Sequence, residues 1–367
     1  MQLLSLTLEN FRSYERKTFR FGTNTTLLVG NNAMGKTNVL EAISLLATGR
    51  SFRAQKTEEM ILFTKELARV TGKVEQLLPA TDGDTGPSVE LEVLLTRGEL
   101  QGKRVAKRRY RIDEVPKRYS DYVGRLVVVV FRPEDLELIL GSPSVRRAFL
   151  DVVLSQIDRE YRRSLVSYEK ALVRRNRLLD AIREEGTART HLAFWDQLII
   201  KHGQVLTQKR MAFVEAINRF DAEIDSFRVT YDSSVVSASR LLQYAEQEVA
   251  VGYTLVGPHK DDFQIVTSDK RQVTSRGRDL ALYGSRGEQR LAVLWLKLAE
   301  LSYVSQTIGE RPVLLLDDIL SELDHDHRAL VLRILPHQQT IMTTTDLHLV
   351  GQTKGIEVVE LHQSQKD

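Results

Sequence analysis

Cysteine is absent from the 367 residues of the chain, and long apolar runs are absent as well. The lack of cysteine excludes disulfide bonds, thiolate metal sites and cysteine nucleophiles. An apolar run such as residues 126–131 is far shorter than the roughly 20 residues that a membrane-spanning helix needs. The N-terminal residues mix acidic and basic side chains and do not form a signal peptide. These absences predict a soluble, cytoplasmic protein.

A large excess of charge of one sign is also missing. The chain has 52 Lys and Arg residues against 49 Asp and Glu residues, which gives a formal net charge of only +3. This balance is too even to indicate a nucleic-acid partner, so such a prediction depends on local clusters. The chain is 42% hydrophobic, and its length predicts two or three domains with a sizeable core.

Strand-like segments occur near both ends of the chain. Residues 4–8 alternate between apolar and polar side chains, and residues 25–30 form a short apolar run that ends in glycine. Several β-branched segments follow between 68 and 131, and the pattern after 286 is typical of helix, strand, helix and strand. An α/β body assembled from both ends of the chain is therefore predicted.

Long helical patterns fill the middle of the chain. One starts at Ser142, which is a typical N-cap residue, and continues to about 185. A second covers about 191–225, so the two predict an antiparallel helical hairpin. The expected domains are a discontinuous α/β head, 1–131 plus 251–367, and a helical insert, 132–250.

The segment GNNAMGKT, residues 30–37, matches the phosphate-loop pattern G-x-x-x-x-G-K-[ST] between a predicted strand and a predicted helix. Gly30 and Gly35 let the backbone close around phosphate oxygens, towards which N–H groups and the helix N-terminus point. Lys36 would reach the β- and γ-phosphates, and Thr37 would offer its hydroxyl to Mg²⁺. A chance match is the alternative, which the flanking strand and helix disfavour. The predicted nucleotide-binding residues are Gly30, Asn31, Asn32, Ala33, Met34, Gly35, Lys36 and Thr37.

A second motif, LLLDDILSELD, includes the end of an apolar run at 313–316 that predicts a buried parallel strand. Asp317, at the end of this strand, is placed to hold Mg²⁺, and Asp318 is placed to orient or deprotonate an attacking water. In an isolated Asp pair, one carboxylate would more often cap the next helix. The apolar strand before the pair and SELD after it favour the catalytic interpretation.

A third segment, SRGEQR at 285–290, also has the features of an anion site. Ser285 and Gly287 stand at the start of a predicted helix, where backbone N–H groups and the helix dipole attract negative charge. A long stretch of chain separates this segment from the phosphate loop. The sequence therefore raises the question of why one chain would need two phosphate sites.

In this order, GNNAMGKT, SRGEQR and LLLDDILSELD resemble the motifs of ABC-type ATPases. The long separation between the first two motifs contains a helical arm, which is similar to the SMC-like branch rather than to transporter subunits. Further segments, including LENFRSY at 8–14 and GPHKDD at 257–262, resemble bacterial recombination mediators of that branch over nearly the whole chain. The resemblance implies an ABC-type P-loop ATPase head with an inserted α-helical lobe or arm.

In such ATPases, the segment that corresponds to SRGEQR contacts the γ-phosphate bound by a partner subunit, so that two ATP molecules lie within a head-to-tail dimer. The resemblance implies that Ser285, Gly287 and Gln289 bind the ATP of a second copy, and that hydrolysis separates the dimer. Ser321 and Asp324 would couple the two sites. The implied catalytic residues are Lys36, Asp318 and Ser285, and the implied Mg²⁺ ligands are Thr37 and Asp317.

The chain departs from the family pattern in several places. Asp318 stands where most ABC-type ATPases have Glu, and its shorter side chain predicts slow turnover. Glu288 replaces a residue that is more often Gln. The switch region at 343–347 lacks the His of transporters, and either Thr345 or Asp346 would substitute for it. The turn after the segment VVVVFRP, residues 127–133, is the best candidate for the glutamine loop.

Basic residues cluster at 102–118 and along the predicted helical arm. Such clusters can follow phosphates without reading bases. A solvated hairpin or a salt-bridged helix face is the alternative for either cluster alone, and the resemblance favours DNA. No interleaved aromatic pattern suggests base stacking, so recognition of backbone and shape is expected. The predicted DNA-contacting residues are Arg104, Lys107, Arg108 and Arg109.

The resemblance thus implies an ATP-dependent DNA-binding protein of recombination and repair with weak, DNA-dependent ATPase activity. It would bind gapped or single-strand/double-strand DNA without sequence preference and help to load recombinase with the partner proteins RecO and RecR. One alternative is a clamp that dimerises on ATP without hydrolysing it. The other is a transporter ATPase subunit, against which the motif spacing, the basic hairpin and the missing switch His argue.

Overall fold

The computed structural model describes residues 1–75, 88–221, 224, 227–267, 277–346, 348 and 355–361. The sequence also predicts a surface loop at 79–88 and a strand at 271–275, and all of these residues except Ser88 lie outside the described residues. No helix in the described ranges combines the length and the apolar character that crossing a lipid bilayer requires.

The strands lie mostly in the first third and the last quarter of the chain. Their bounds are β1 (Gln2–Phe11), β2 (Tyr14–Arg20), β3 (Thr25–Val29), β4 (Leu67–Glu75), β5 (Ser88–Thr96), β6 (Glu99–Leu100), β7 (Lys103–Arg104), β8 (Arg108–Ile112), β9 (Val115–Lys117), β10 (Val128–Phe131), β11 (Phe227–Asp232), β12 (Asp262–Thr267), β13 (Val313–Asp317), β14 (Thr340–Thr344) and β15 (Ile356–Glu360).

The longer helices follow the strand-rich first third. The helix bounds are α1 (Lys36–Thr48), α2 (Tyr119–Tyr122), α3 (Glu137–Leu140), α4 (Pro143–Ile157), α5 (Arg159–Glu185), α6 (Ala193–Asn218), α7 (Ala238–Gln243), α8 (Ala245–Val251), α9 (Leu280–Tyr283), α10 (Arg286–Ile308) and α11 (His325–Ile334).

Two compact units divide the chain: Met1–Asp135 with Val304–Asp367, and Leu136–Tyr303. The first junction lies close to the predicted boundary at 131/132. Residues 251–303 are predicted in the α/β head, but in the structure they pack within the helical unit. The reason is local pairing, because β12 pairs antiparallel with β11 along its length. The functional division into an ATPase head and a helical insert stays a prediction.

The first unit contains a parallel and an antiparallel sheet. The parallel sheet has the order β10-β13-β14-β3-β15, and the larger antiparallel sheet has the order β2-β1-β4-β5-β8-β9. In β3 and β13 the runs TTLL and VLLLD are buried at every position, as in a strand that is covered on both faces. Helix α1 buries almost all of its residues and contacts strands of both sheets. The predicted α/β body is therefore confirmed in this unit.

The second unit is built on two long helices. The 27-residue α5 and the 26-residue α6 pack against each other, as the predicted helical hairpin requires. The sequence pattern predicts one helix from Ser142 to about 185, but the structure ends α4 at Ile157 and starts α5 at Arg159. Asp158 lies between them with an extended backbone, and its carboxylate accepts a hydrogen bond from the Tyr161 amide at 2.9 Å.

The GPHKDD segment at 257–262 is tied into the second unit by a buried guanidinium. Arg210, which is 2% exposed, donates to Asp261 at 2.8 Å, to the Pro258 carbonyl at 2.7 Å and to Asp151 at 2.8 Å. Its Nε donates to the Tyr161 hydroxyl at 2.9 Å. Since a buried charge needs full pairing, these contacts hold the segment in one place and give it a structural role that the sequence does not reveal.

Candidate nucleotide site and signature segment

The phosphate loop begins directly after β3 and turns into α1. Ala33 and Gly35 have positive φ angles of 68° and 88°, so the chain bends sharply before Lys36 starts the helix. A Cβ atom on Gly35 would lie 2.8 Å from the Tyr14 hydroxyl, and one on Gly30 would lie 3.0 Å from the Leu361 carbonyl oxygen. Glycine is therefore required at 35 by both conformation and space.

Lys36 lies across the phosphate loop. Its side chain is buried, and Nζ donates to the carbonyl oxygens of Gly30 at 2.5 Å and Asn31 at 3.1 Å. Burial lowers the pKa of Lys36, while the negative charges of Asp318 and Asp317 oppose that shift. The amine is thus held above the loop by weak carbonyl acceptors that an anionic phosphate can replace.

Asp317 connects the phosphate loop to the neighbouring strands. Its Oδ1 accepts hydrogen bonds from Thr37 at 3.0 Å and from Thr343 at 2.8 Å. Thr343 faces Asp317 because β13 and β14 are parallel neighbours in that register. Burial raises the pKa of Asp317, and the two hydroxyl donors oppose the shift. Carboxylate and hydroxyl oxygens at the carboxyl edge of a parallel sheet are suited to Mg²⁺.

Asp318 has a strained backbone and an unsatisfied carboxylate. Its φ of 51° lies in the left-handed region, and its amide donates to the Thr343 hydroxyl at 3.0 Å. Its Oδ1 is buried without a hydrogen-bond partner. Burial raises the pKa of Asp318, and the nearby Lys36 cation opposes the shift. A strained residue with an orphaned acceptor is typical of a functional position.

The switch region contributes a residue that the sequence analysis does not single out. Thr345 and Asp346 are the predicted substitutes for the transporter His, whereas Thr343 is the residue that contacts both Asp317 and the Asp318 amide. Thr345 contacts the Asp318 carboxylate through its backbone N–H. The register of two parallel strands determines these contacts, and the sequence motifs do not contain that register.

Arg12 forms an ion pair with Glu41 of α1, the helix that follows the phosphate loop. Glu41 is fully buried, and Arg12 binds it with two hydrogen bonds of 2.8 and 2.6 Å. The Ser51 hydroxyl donates to the same carboxylate at 2.5 Å. Arg12 belongs to the LENFRSY segment, so this motif positions the helix that carries Lys36.

The turn after β10 lies beside Asp317. Arg132 donates to Asp135 at 3.0 Å and stacks over the Phe52 ring, with 4.5 Å from its guanidinium carbon to the ring centroid. Glu134, in the same turn, contributes electrostatically to the raised pKa of Asp317. This is the predicted region of the glutamine loop, where the chain places a carboxylate.

The SRGEQR segment belongs to the second unit and begins α10. Ser285 and Gly287 are exposed, as a site for an external ligand requires. Glu288 forms a capping box with Ser285: it accepts from the Ser285 amide at 2.7 Å, and its own amide donates to the Ser285 hydroxyl at 3.3 Å. Arg278 pairs with the same carboxylate. Gln289 is buried and donates to the Leu280 carbonyl at 2.9 Å, so its side chain points inwards.

The SELD residues have local roles. The Ser321 hydroxyl donates to the Asp318 carbonyl at 2.7 Å, which braces the strained residue. Asp324 is the N-cap of α11 and accepts from the His327 amide at 3.0 Å. These contacts leave the predicted coupling role of Ser321 and Asp324 as a prediction.

The four predicted DNA-contacting residues do not share one surface. Arg104 is exposed on β7, and Lys107 is exposed and paired with Glu58 at 2.5 Å. Arg108 is half-buried, because it donates to the Gly49 carbonyl at 2.8 Å. Arg109 follows on the opposite side of β8. Alternation along a strand separates the last two, so Arg108 has a structural contact where a phosphate contact is predicted.

The chain is similar to known proteins over nearly its whole length. A family model described as the RecF/RecN/SMC N terminal domain matches residues 2–366. The DNA replication and repair protein RecF of Chloroflexus aurantiacus is 38% identical over 384 residues, which cover 95% of this chain and 94% of that protein. Its counterpart in Roseiflexus castenholzii is also 38% identical, with 94% of this chain and 93% of that protein covered.

Solved structures show the same relationship. The recombination mediator protein RecF with ATP in the RecFOR pathway matches with a TM-score of 0.83 at 30% identity, covering 98% of this chain and 95% of that chain. An SMC head bound to the C-winged helix domain of ScpA matches with a TM-score of 0.53 at 16% identity, covering 98% and 94%, which shows the fold alone. The expected ABC-type, SMC-like fold is confirmed. The chain belongs to the RecF/RecN/SMC N-terminal domain family and, within it, to the RecF family of DNA replication and repair proteins.

Proposed function

We propose that the chain is an ATP-dependent DNA-binding protein of recombination and repair that forms a head-to-tail homodimer on ATP. The observation that supports this most strongly is the convergence of Lys36, Thr37, Asp317 and Asp318 at the carboxyl edge of one parallel sheet. Motifs that lie far apart in the sequence meet there in the arrangement that nucleotide hydrolysis needs.

The residues present fit ATP and Mg²⁺. The phosphate loop leads into the N-terminus of α1, has a glycine at its tightest point, and places the Lys36 amine on two carbonyl oxygens. Thr37 and Asp317 would hold Mg²⁺, which when bound neutralises charge on the β- and γ-phosphates. The RecF structure described with ATP supports the same nucleotide for this chain.

Asp318 is proposed to orient and deprotonate the attacking water. Its orphaned Oδ1 is free to accept a hydrogen bond from that water, and burial has already raised its pKa towards that of a useful base. Its side chain is one methylene shorter than the Glu of most ABC-type ATPases. We therefore propose weak, DNA-stimulated ATPase activity whose completion separates the dimer.

Ser285 and Gly287 are proposed to contact the γ-phosphate held by the phosphate loop of a second copy. Both are exposed at the N-terminus of the 23-residue α10, where the helix dipole favours an anion. This arrangement explains why one chain has two phosphate-binding motifs, because each motif supplies half of a shared site. Gln289 supports the segment from inside the unit.

DNA binding is proposed to be sequence-independent and directed at gaps and single-strand/double-strand junctions. The exposed Arg104, Lys107 and Arg109 are suited to phosphate contacts. A solved RecF is described as a recombination mediator of the RecFOR pathway, which supports RecO and RecR as partners in recombinase loading.

Sedimentation velocity tests the dimer directly. The sedimentation coefficient of the chain is measured in the presence of ATP, in the presence of ADP and without nucleotide. The Ser285→Arg variant is measured under the same three conditions. We expect a dimer with ATP alone and only monomer for Ser285→Arg. The matched control is Ser239→Arg, which adds the same side chain at an exposed position of α7 and should dimerise normally. A Ser285→Arg chain that still dimerises on ATP contradicts the shared site.

The alternative of a non-hydrolysing clamp makes a different prediction. A Lys36→Arg variant that dimerises on ATP and still supports recombinase loading without phosphate release would favour the clamp. The unsatisfied Asp318 carboxylate favours hydrolysis, because a clamp has no use for a buried acceptor without a partner.

A further inference from the structure

Phe63 presents its ring almost entirely to solvent. It is 91% exposed, which is the highest value among the large apolar side chains of the described residues. The residue lies in the short connection between the 3-10 turn Thr57–Met60 and β4. A single exposed leucine needs no explanation, but an aromatic ring held fully in water is a costly arrangement that suggests a ligand.

The Phe63 ring is exposed because its backbone is fixed. Arg97 donates through Nη2 to the Phe63 carbonyl and through Nε to the Lys65 carbonyl, both at 3.0 Å. The Leu62 amide donates to the Asn10 carbonyl at 2.8 Å, and the Lys65 amide donates to the Leu62 carbonyl at 2.9 Å. Since the flanking residues are anchored, the ring is presented on a defined loop rather than on a loose one.

Arg97 also joins this loop to the basic hairpin, which is the hairpin formed by β6 and β7. Arg97 follows β5 directly and precedes β6, and the hairpin is closed by the Thr96 amide on the Lys107 carbonyl at 3.0 Å. In the sequence, the exposed polar residues Thr64, Lys65 and Glu66 follow the ring, and the partly buried Leu62 precedes it, so Phe63 is not part of a fully exposed apolar run. The exposed cations of the loop and hairpin are Lys65, Lys103, Arg104 and Lys107.

We infer that Phe63 is a base-stacking platform for single-stranded DNA, with the neighbouring cations on the phosphates of the same strand. Aromatic stacking beside basic side chains is the common mode of sequence-independent single-strand binding. A protein partner is disfavoured, because the centres of protein interfaces are depleted of charged residues and the exposed Lys65 and Glu66 follow the ring directly on the same loop. The inference rests on the proposed DNA binding and goes beyond it by adding contact with bases.

The position of Phe63 also explains why the sequence predicts backbone recognition alone. The ring is distant along the chain from the basic cluster at 102–118, and the contact through Arg97 is what brings the two together. Stacking gives the protein a means to distinguish unpaired bases from duplex, since bases inside a duplex have no free face.

Titration of a labelled oligo(dT) and of a labelled duplex in the presence of ATP and Mg²⁺ tests this inference with Phe63→Ala, Phe63→Trp and the unsubstituted full-length chain. Because stacking contributes about 1–3 kcal/mol per base, Phe63→Ala should lose roughly 5- to 150-fold in oligo(dT) affinity while its duplex affinity stays within about twofold. Phe63→Trp should keep the affinity. Its tryptophan fluorescence should be quenched by oligo(dT) beyond the quenching of the unsubstituted chain, which has two tryptophans.

Val115→Ala is the matched control, because Val115 is also exposed, at 52%, in the same unit. It should bind both DNAs normally. Equal oligo(dT) binding by Phe63→Ala and the unsubstituted chain overturns the inference, and a ring that docks a protein gives this same result. If the unsubstituted chain binds neither DNA, the proposed function itself fails, so the two failures are distinguishable.

Discussion

Asp318 combines two features that a purely structural residue would avoid. Its backbone occupies the left-handed region at a φ of 51°, and one of its carboxylate oxygens is buried without a partner. Each feature destabilises the fold by roughly 1–3 kcal/mol. The surrounding contacts from Thr343 and Ser321 hold the residue in place despite this. Asp318 therefore lowers the free energy of unfolding, as is typical of a residue retained for its reactivity.

Asp318→Asn should separate catalysis from stability. Asn tolerates the left-handed conformation and removes the buried negative charge, so we expect ATP binding to persist while hydrolysis falls about 100-fold or more. Because burial raises the pKa of Asp318, the ionised form is disfavoured in the folded state, and the variant should melt at a higher temperature. Phosphate release and differential scanning calorimetry measure the two effects.

The control for this experiment is Asp326→Asn, which removes an exposed carboxylate on α11 and should change neither property. Undiminished phosphate release by Asp318→Asn would show that another group activates the water.

The residues of the phosphate loop were predictable because their chemistry requires a local sequence pattern. Lys36, Thr37, Asp317 and Asp318 meet as the motifs indicate. Thr343 was not predictable, since its contact with Asp317 depends on strand register. The inward direction of Gln289 was not predictable either, because the start of α10 determines it.

At the scale of elements, the N-terminus of α10 is already capped by its own side chain. The Glu288 carboxylate occupies the space next to the Ser285 amide and is held there by Arg278. Hydrogen bonds from Ser285 lower the pKa of Glu288, so it remains ionised at neutral pH. The N-terminus of a helix attracts anions. At this N-terminus, however, an incoming γ-phosphate meets the negative charge of Glu288, which repels it.

Glu288→Gln should strengthen the ATP-dependent dimer. Glutamine can still accept from the Ser285 amide, but it removes the repulsion and leaves Arg278 available to the phosphate. We expect the dimer dissociation constant to fall about two- to fivefold, as measured by sedimentation equilibrium with a slowly hydrolysed ATP analogue. Glu184→Gln removes an exposed carboxylate of α5 as the matched control. A weaker dimer would instead identify the carboxylate as a required part of the site.

His259 should make the second unit sensitive to acid. Its Nδ1 lies 2.7 Å from the Tyr168 hydroxyl, its Nε2 lies 3.0 Å from the Thr254 carbonyl, and burial lowers its pKa to about 4. The folded state therefore resists a proton that the unfolded state accepts near pH 6.5. The contribution of His259 to the free energy of unfolding is therefore complete above pH 6.5. It falls on acidification towards pH 4, by about 2 kcal/mol between pH 6.5 and 5. The charged neighbours Lys260, Arg147 and Arg175 all disfavour the imidazolium.

Urea unfolding followed by tryptophan fluorescence checks this pH dependence, because both tryptophans of the chain, at 195 and 295, belong to the second unit. His259→Gln should flatten the curve between pH 5 and 6.5, and His325→Gln, at an exposed position, should not. Parallel curves for all three proteins would exclude His259 as the group responsible.

Element types were largely predictable, whereas several element ends were not. The alternating and apolar strands β1 and β3 follow the expected pattern, as does α1. The break at Asp158 escapes prediction because the residues on both sides of it favour helix, and its capping bond appears only in three dimensions. Most of the segment before β12 is irregular, and the Asp261 carboxylate accepts hydrogen bonds from Arg210, from the Tyr231 hydroxyl and from the Ser234 amide.

At the scale of the whole molecule, two compact units are built from three stretches of chain. The phosphate loop and the Asp pair belong to one unit, and Ser285 belongs to the other. A discontinuous body is physically reasonable, because a parallel sheet can take its strands from distant parts of the sequence. The β-pairing that brings residues 262–267 together with 227–232 leaves no sequence signal, and the division into an ATPase head and a helical insert stays a prediction.

The order of the parallel sheet has a consequence for biosynthesis. Both neighbours of β3, which are β14 and β15, come from residues after 339, whereas the antiparallel sheet is complete at Lys117. During translation the antiparallel sheet can therefore form while β3 still has two open edges. Open edges recruit other chains, and pairing over long sequence separations is slow. A ribosome-bound chain would thus keep both edges of β3 open for most of its synthesis, and the strand before the phosphate loop would gain its neighbours only when β14 and β15 emerge.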